Sequence, residues 1–485
     1  MAANTGQEIA PLNENNDQPK DPAIDVPGPE CCIFKIPRRF RAGNEEAYTP
    51  HLISIGPIHH GDKNLTQMEL QKQRCYKKFL ETTSQERLTE FHGYVKSHLI
   101  RICRCYEVQF ICNLEVSQLI EIISNDAVFI IALFLRDWAE KQKSTDKDCN
   151  DDEEDVYHVL NQRDDKEDDY YNFLNNSALL RVNLLTDLTL LENQIPFFVL
   201  EDLYKLAFFI SDKTSFLDLA CLYFGIKKDP SFEEKKIKHF TDLIRYQVLR
   251  AYPLTYDMRV GNHNMHNATK LHEAGVKFKC TEVSHDFGVM FNGVSYDCFL
   301  IHGPEFEGFQ SVDTVKDDVL ESTTYSLLQV HFEKGLLKLL TIDVEYETEI
   351  RFRNLMAFEQ YYYPKKTYFC SYIKLLDSLI DTKEDVDLLI KEQIIVNKLG
   401  SSAAVATMIN KLAVGVVQST LLYGEIGLKL NRHYKSSWNR RCASLKHVYF
   451  NTLWRGTATV AAFIVVVLTL TQTVLAILDR AKPTK

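Results

Sequence analysis

The sequence predicts a mainly α-helical protein: a large helical soluble body, a small β-hairpin region in its middle and one C-terminal transmembrane helix. Three observations carry this. Apolar residues recur at three- and four-residue steps over most of the chain, strand-like alternation is confined to the centre, and residues 456–478 form a run of 23 without a charge.

The body spans 29–445. Residues 1–28, rich in Asn, Asp, Pro and Gln, read as a disordered tail. Ala47 to Gly61 is punctuated by Pro50, Gly56 and Pro57, so it should lie extended along helices rather than form one. Thr66 and Glu69 have capping-box spacing at the start of a helix that places Cys75, Tyr76, Phe79 and Leu80 on one side. Leu88, Phe91, Val95, Leu99, Ile102, Tyr106 and Phe110 form the stripe of a longer helix. Residues 127–135 are apolar without a break, too short to span a bilayer, and read as a helix buried on all sides. Pro196 should divide the helical run around it near Gln194 and Ile195. Phe287 to Ile301 alternates around an Asn292-Gly293 hairpin turn, and 335–352 holds a further strand before helix returns at Asn354. The apolar stretch 401–430, with Lys411 at its centre, reads as a pair of core helices rather than a second span.

Composition narrows the function. A 45% hydrophobic, 25% charged chain has ample material for a core. The formal net charge of −10 is concentrated: 144–169 holds twelve acidic residues against Lys147, Arg163 and Lys166, which marks an acidic flexible insertion. What remains is nearly neutral, without the basic excess that nucleic-acid binding requires. The twelve cysteines are scattered with no C-x-x-C, and the polar N-terminus has no secretory h-region. Free thiols in a reducing cytosol are expected, with paired disulfides only if the body were translocated.

The anchor, 446–485, contains the span marked by Gly456, Phe463, Val467, Gln472 and Leu478. A helix of that length reaches about 34 Å, enough for a hydrocarbon core of about 30 Å, and pairs its own backbone groups in lipid. Its five threonines are tolerable because their hydroxyls bond back to the preceding turn. The lipid bilayer is therefore the first expected partner. Arg440, Arg441, Lys446 and Arg455 before the span nearly balance Arg480, Lys482 and Lys485 after it, so flanking charge does not orient it. Its terminal position favours tail anchoring with the body in the cytosol. Three glycosylation triplets, at Asn64, Asn175 and Asn267, keep an extracellular or lumenal body open.

No catalytic signature appears: no nucleophile elbow, P-loop, dinucleotide turn or H-E-x-x-H. His51, His59, His60 and Asp62 offer metal-binding chemistry, but adjacent histidines in an extended run point to opposite faces; a turn packed on helix ends is the preferred reading. His263, His266 and His272 lack a carboxylate or Cys at ligand spacing. Glu192 and Glu201 flank Pro196, an unremarkable carboxylate pair. Asn193 and Gln194, polar amid Leu190, Leu191, Ile195, Phe197 and Phe198, should satisfy backbone groups freed by the break. No cofactor is expected.

These segments also carry a resemblance. AYTPHLISIGPIHHG (47–61), MELQKQRCYKKFL (68–80), RCYE (104–107), LLTDLTLLENQIPFFVLEDLY (184–204), ATKLHEAGVKFK (268–279), FRNLMAFEQ (352–360) and DVDLLIKEQIIVNKLGSS (385–402) resemble the plant family called domain of unknown function 247, over nearly the whole chain. Two departures stand out. The usual Asp-Gly-Cys-Phe run reads Asp126-Ala127-Val128-Phe129, and 280–325 is longer than the family pattern. The resemblance implies a membrane-attached plant protein with no accepted enzymatic activity, some relatives being associated with self-incompatibility recognition and others with reproductive or stress traits.

The resulting expectation is a membrane-anchored module for protein interaction or recognition, not an enzyme, with an unknown protein partner. Two alternatives stand beside it. One is a membrane-surface enzyme using residues such as His59, His60 and Asp62. The other is a scaffold that forms homo-oligomers through Ala458 and Ala462 in the span.

Overall fold

Pro50 and Pro57 keep the run from Ala47 to Gly61 out of any helix, and the first half of the molecule is built around it. The computed structural model describes residues 28–112, 114–145, 177–207, 214–226, 237–249, 265–281, 326–416, 422–437, 441 and 453–480. Most of the acidic insertion, the N-terminal tail and the Asn292-Gly293 turn lie outside them.

The short α1 (Arg38–Arg41) precedes the extended run; α2 (Thr66–Thr82), α3 (Gln85–Ser97), α4 (Leu99–Arg104) and the long α5 (Val116–Thr145) follow it. The expected capping box does not form. Helix α2 begins at Thr66 itself, whose hydroxyl donates to Lys63 O at 2.8 Å, while Lys72 and Ser54 engage Glu69 at 2.6 and 3.1 Å. Phe79 is buried on α2, but Leu80 is exposed. The stripe from Leu88 to Phe110 is divided at His98 and again after Arg104, yet Leu88, Phe91, Val95, Ile102 and Tyr106 all reach the core. Residues 127–135 of α5 are buried throughout, so the helix is long and apolar because it is central.

Helix α6 (Ala178–Thr189) stops well before Pro196 and α7 (Phe197–Ala207) begins just after it. The break is wider than the proline alone requires. Helices α8 (Phe216–Tyr223) and α9 (Phe240–Leu249) complete the first core. There Phe134 stacks on Tyr223 at 4.4 Å and on Phe216 at 5.7 Å.

The second core contains α10 (Ala268–Glu273) and a three-stranded sheet of β1 (Lys277–Cys280), β2 (His331–Glu333) and β3 (Leu336–Leu339), in order β1-β3-β2. β1 runs parallel to β3 and β2 antiparallel. The β2–β3 turn is Lys334-Gly335, with φ of 49° and 77°; sequence reasoning missed it because lysine seldom takes a left-handed turn position. β4 (Ile342–Val344) pairs with the later β5 (Ile395–Asn397).

The strand expected over 335–352 therefore ends early, and helix returns at α11 (Tyr346–Tyr362), not at Asn354. Glu345 and Thr348 form a capping box that starts it. α11 joins the two cores: Ile350, Ala357 and Phe358 belong to the first, and Phe352, Leu355 and Met356 to the second. Burial on opposite sides erases the amphipathic signal that would have marked its start. α12 (Tyr368–Leu379), α13 (Lys383–Lys391), α14 (Ser402–Ala413) and α15 (Gly424–Lys435) follow; of the core pair expected over 401–430, α14 packs into the second core, whereas α15 buries only Gly424, Gly427 and Leu430.

Helix α16 (Leu453–Arg480) is long and apolar enough to cross a membrane, and no residue from Thr459 to Ile477 is buried. Thr469, Thr471 and Thr473 donate to Val465, Val467 and Thr469 carbonyls at 2.7–2.8 Å, as expected of threonines in such a helix. Phe463, Val467 and Gln472 are exposed along it, and Gly456 and Leu478 lie within its bounds.

Candidate functional site

A buried extended strand normally satisfies its backbone through a neighbouring strand. The run at 51–56 has none and uses side chains instead. The Asp187 carboxylate accepts from the N–H groups of His51, Leu52 and Ile53 at 3.0, 2.6 and 2.9 Å. Asn193 accepts from Ile55 N at 2.6 Å and donates to Ile53 O and Asp187 O. Asp126 accepts from Gly56 N at 2.7 Å, and Lys72 donates to Ser54 O at 2.6 Å. Gly56 has φ of 73°, and a Cβ there would stand 2.4 Å from Gln194 O. Only glycine fits this crossing of two backbones.

Gln194 closes the break before Pro196. Its amide donates to Leu188 O and Leu190 O at 2.7 Å and accepts from Phe240 N at 2.9 Å. Asn354 of α11 accepts from Leu191 N and donates to Ala47 O. The structural role expected of Asn193 and Gln194 is thus observed.

The charged members are each tied into the fold. Lys72 Nζ lies 2.6 Å from each of Asp126 Oδ1, Glu69 Oε1 and Ser54 O, matching its three protons with three acceptors. Glu192 accepts from Ile36 N at 2.7 Å and from both terminal nitrogens of Arg41 at 3.0–3.4 Å. Farther along, Glu359 holds Arg245 at 3.0 Å and Cys370 N at 3.0 Å. Asp385 gathers Thr269, Asp381, Thr382 and Asn267. Burial pushes Asp187 up to about 6 against the pull of its three N–H donors, and pushes Asp126 up against Lys72. At Asp385 burial acts in the same direction, but the donors outweigh it and hold the carboxyl below its ordinary range.

The sequence-level candidates are dispersed by this arrangement. His59 Nε2 lies 3.2 Å from Glu192 Oε2 without hydrogen-bond geometry, whereas His60 turns to Glu69 at 3.8 Å. The two adjacent histidines do point apart. Asp62 accepts from Asn64 N, and His51 is exposed. His266 stacks on Tyr434 at 3.7 Å and His272 faces Val276 O, while His263 lies outside the described residues. Among the described residues no three His, Cys, Asp or Glu side chains are grouped to hold a metal ion. Asn64 is exposed; Asn267 caps α10 and contacts Asp385; Asn175 lies outside the described residues. Glu201 is on α7, away from the Glu192 contacts.

Two further buried groups were missed. His239 donates from Nε2 to Cys32 O at 3.1 Å and packs edge-on against Phe358; burial pushes its imidazole down to about 3. The Cys32 thiol is hydrogen-bonded to Cys105, which holds Cys105 below and Cys32 well above the ordinary thiol range.

Every segment that carries the resemblance supplies such a tie: Gly56, Lys72, Asp187, Thr269, Asn354 and Asp385 fall one in each of six, and in the seventh the Tyr106 hydroxyl donates to Gln194 O at 3.0 Å. The sequence also matches the family DUF247, described as "Plant protein of unknown function", at 33–302 and 310–468. The chain belongs to this family. Among curated relatives, it is 26% identical to the UPF0481 protein At3g47200 of Arabidopsis thaliana, over 93% of this chain and 87% of the relative. It is 23% identical to the putative UPF0481 protein At3g02645 of the same plant, over 90% and 88%. No solved structure matches.

Proposed function

We propose that this DUF247 protein is a membrane-anchored interaction module rather than an enzyme. The observation that carries the anchor is the contrast between two apolar helices. α5 is buried by the body, whereas among the described residues none from Thr459 to Ile477 of α16 is buried. A continuous apolar helix of that length exposed to water is costly, and a bilayer removes the cost.

The interaction role is supported by how the described polar groups are used. Lys72, Asp126, Asp187 and Glu192 could each serve as acid, base or electrophile, yet each is engaged by partners that hold the fold. Loops around such a scaffold remain available for recognition. Cross-linking the full chain in intact plant membranes, before detergent extraction, tests this. One reproducible protein partner is expected; a chain that cross-links to nothing across repeated preparations contradicts the reading.

A further inference from the structure

The solvent face of the three-stranded sheet carries an arrangement that stability alone disfavours. The register places Lys279 of β1 beside Lys338 of β3, and Lys338 beside His331 of β2. All three are exposed. Strands lie about 4.8 Å apart, so Lys279 and Lys338 set two like charges directly opposite one another, which is destabilising. The other face of the sheet is apolar, with Phe278 paired to Leu337 and Leu337 to Phe332. The two lysines therefore occupy the face that the core does not need.

A cleft of about 820 Å³ lies over the sheet, lined by Lys277, Lys334, Lys338 and Lys429 with Glu333 as its acidic residue. Among the described residues Lys277 and Lys338 have no ion-pair partner. The Lys334–Glu333 and Lys429–Glu425 pairs, at 3.5 and 2.7 Å, are solvent-exposed and weakly held. Lys334 sits at the lip in a left-handed turn conformation costly for a side chain bearing a Cβ. Gly335 beside it admits the α15 ring of His433, which would stand 3.0 Å from an added Cβ.

We infer that this cleft binds the phosphate group of an anionic lipid headgroup. Charge complementarity selects a phosphate-bearing ligand: four lysines converge on one volume with a single carboxylate among them. Chain continuity selects the bilayer as its source. Lys429 and His433 form the cleft's α15 wall, and α15 leads through 436–452 into α16. Seventeen residues span at most about 60 Å, which keeps the wall within reach of the surface that α16 enters. The inference rests on the reading of α16 as an anchor. It adds a second, electrostatic contact with the same membrane.

The test uses the full chain in dodecyl maltoside micelles and two fluorescent short-chain lipids, phosphatidylinositol phosphate and phosphatidylcholine, read by anisotropy. The phosphoinositide should bind and phosphatidylcholine should not. Lys338→Gln and Lys277→Gln should each weaken binding by about fivefold and together by about 25-fold. Lys383→Gln, on α13, should leave it unchanged. The cleft variants should unfold no earlier than wild type, since like-charge repulsion is relieved. Binding unaffected by the double substitution overturns the site. Inorganic phosphate binding as tightly as the lipid overturns the bilayer as the source. Alkaline carbonate extraction separates the two claims. Release of the wild-type chain from proteoliposomes removes the anchor and, with it, the bilayer source. A carbonate-resistant chain that does not distinguish the two lipids loses the cleft alone.

Discussion

Lys72 Nζ and Asp126 Oδ1 lie 2.6 Å apart with both side chains 1% exposed, a buried ion pair joining α2 to α5 beneath the extended run. Its value lies in what it organises: Lys72 also holds Ser54 O, and Asp126 also holds Gly56 N. Removing Lys72 leaves Asp126 without a counter-charge in the core, and removing Asp126 leaves Gly56 N without its acceptor and Lys72 with Glu69 alone. Lys72→Met or Asp126→Ala should each cost about 3–5 kcal/mol. The double substitution should cost less than the sum of the singles. Urea unfolding of the four proteins gives the coupling directly, and strictly additive costs would show that the two groups do not depend on each other.

Gly56 and Gly43 separate conformation from crowding. Both have positive φ, 73° and 76°, but only at Gly56 would a Cβ meet another backbone. Gly43→Ala should cost about 1 kcal/mol, the penalty of a left-handed alanine. Gly56→Ala should cost at least about 3 kcal/mol, because Gln194 must also move and its amide holds the break before Pro196. Equal shifts in unfolding midpoint would contradict the close crossing.

His239 and Asp187 should oppose each other as pH changes. The His239 imidazole is pushed down to about 3, so the unfolded chain binds its proton first as the solution acidifies. Its contribution is present above the ordinary histidine pKa of about 6.5 and is lost as pH falls through 6.5 toward 3, roughly 2 kcal/mol by pH 5. Asp187, pushed up to about 6, has the reverse sign: its contribution is present below the ordinary aspartate pKa of about 3.9 and is lost as pH rises through 6. His239→Gln should therefore flatten the acid limb of stability between about pH 5 and pH 7, whereas Asp187→Asn should steepen it. Parallel pH profiles for wild type and both variants would contradict these assignments.

The thiols should react unevenly. Cys112 is exposed, while Cys32, Cys221 and Cys370 are buried; burial, with Glu359 beside it, pushes Cys370 well above the ordinary range. In the folded chain maleimide should modify Cys112 long before Cys370, and mass spectrometry of partly labelled protein reads the order. Early labelling of Cys370 would show that α12 opens readily.

Much of this fold was legible because the apolar pattern carries it. The stripe from Leu88 to Tyr106 reached the core even though the helix was cut at His98, since spacing reports the face and not the hydrogen bonds. The break at Pro196 and the amides beside it were readable from local chemistry alone. Asp126 and Asp187 left a fainter signal, each a lone charge within an apolar run. Lys72 left none: among Gln71, Gln73 and Arg74 it looks like a solvated helix face, and only the fold of 51–56 over α2 buries it. The start of α11 was hidden by burial on both sides, and the juxtaposition of Lys279 and Lys338 by a pairing between strands far apart in sequence.

Alkaline carbonate extraction of plant membranes expressing either the full chain or residues 1–452 decides whether α16 holds the molecule in lipid. The full chain should stay in the pellet, and the shortened chain, lacking α16, should be released. A full chain washed free by carbonate would show that α16 is covered by protein and does not anchor the molecule in lipid.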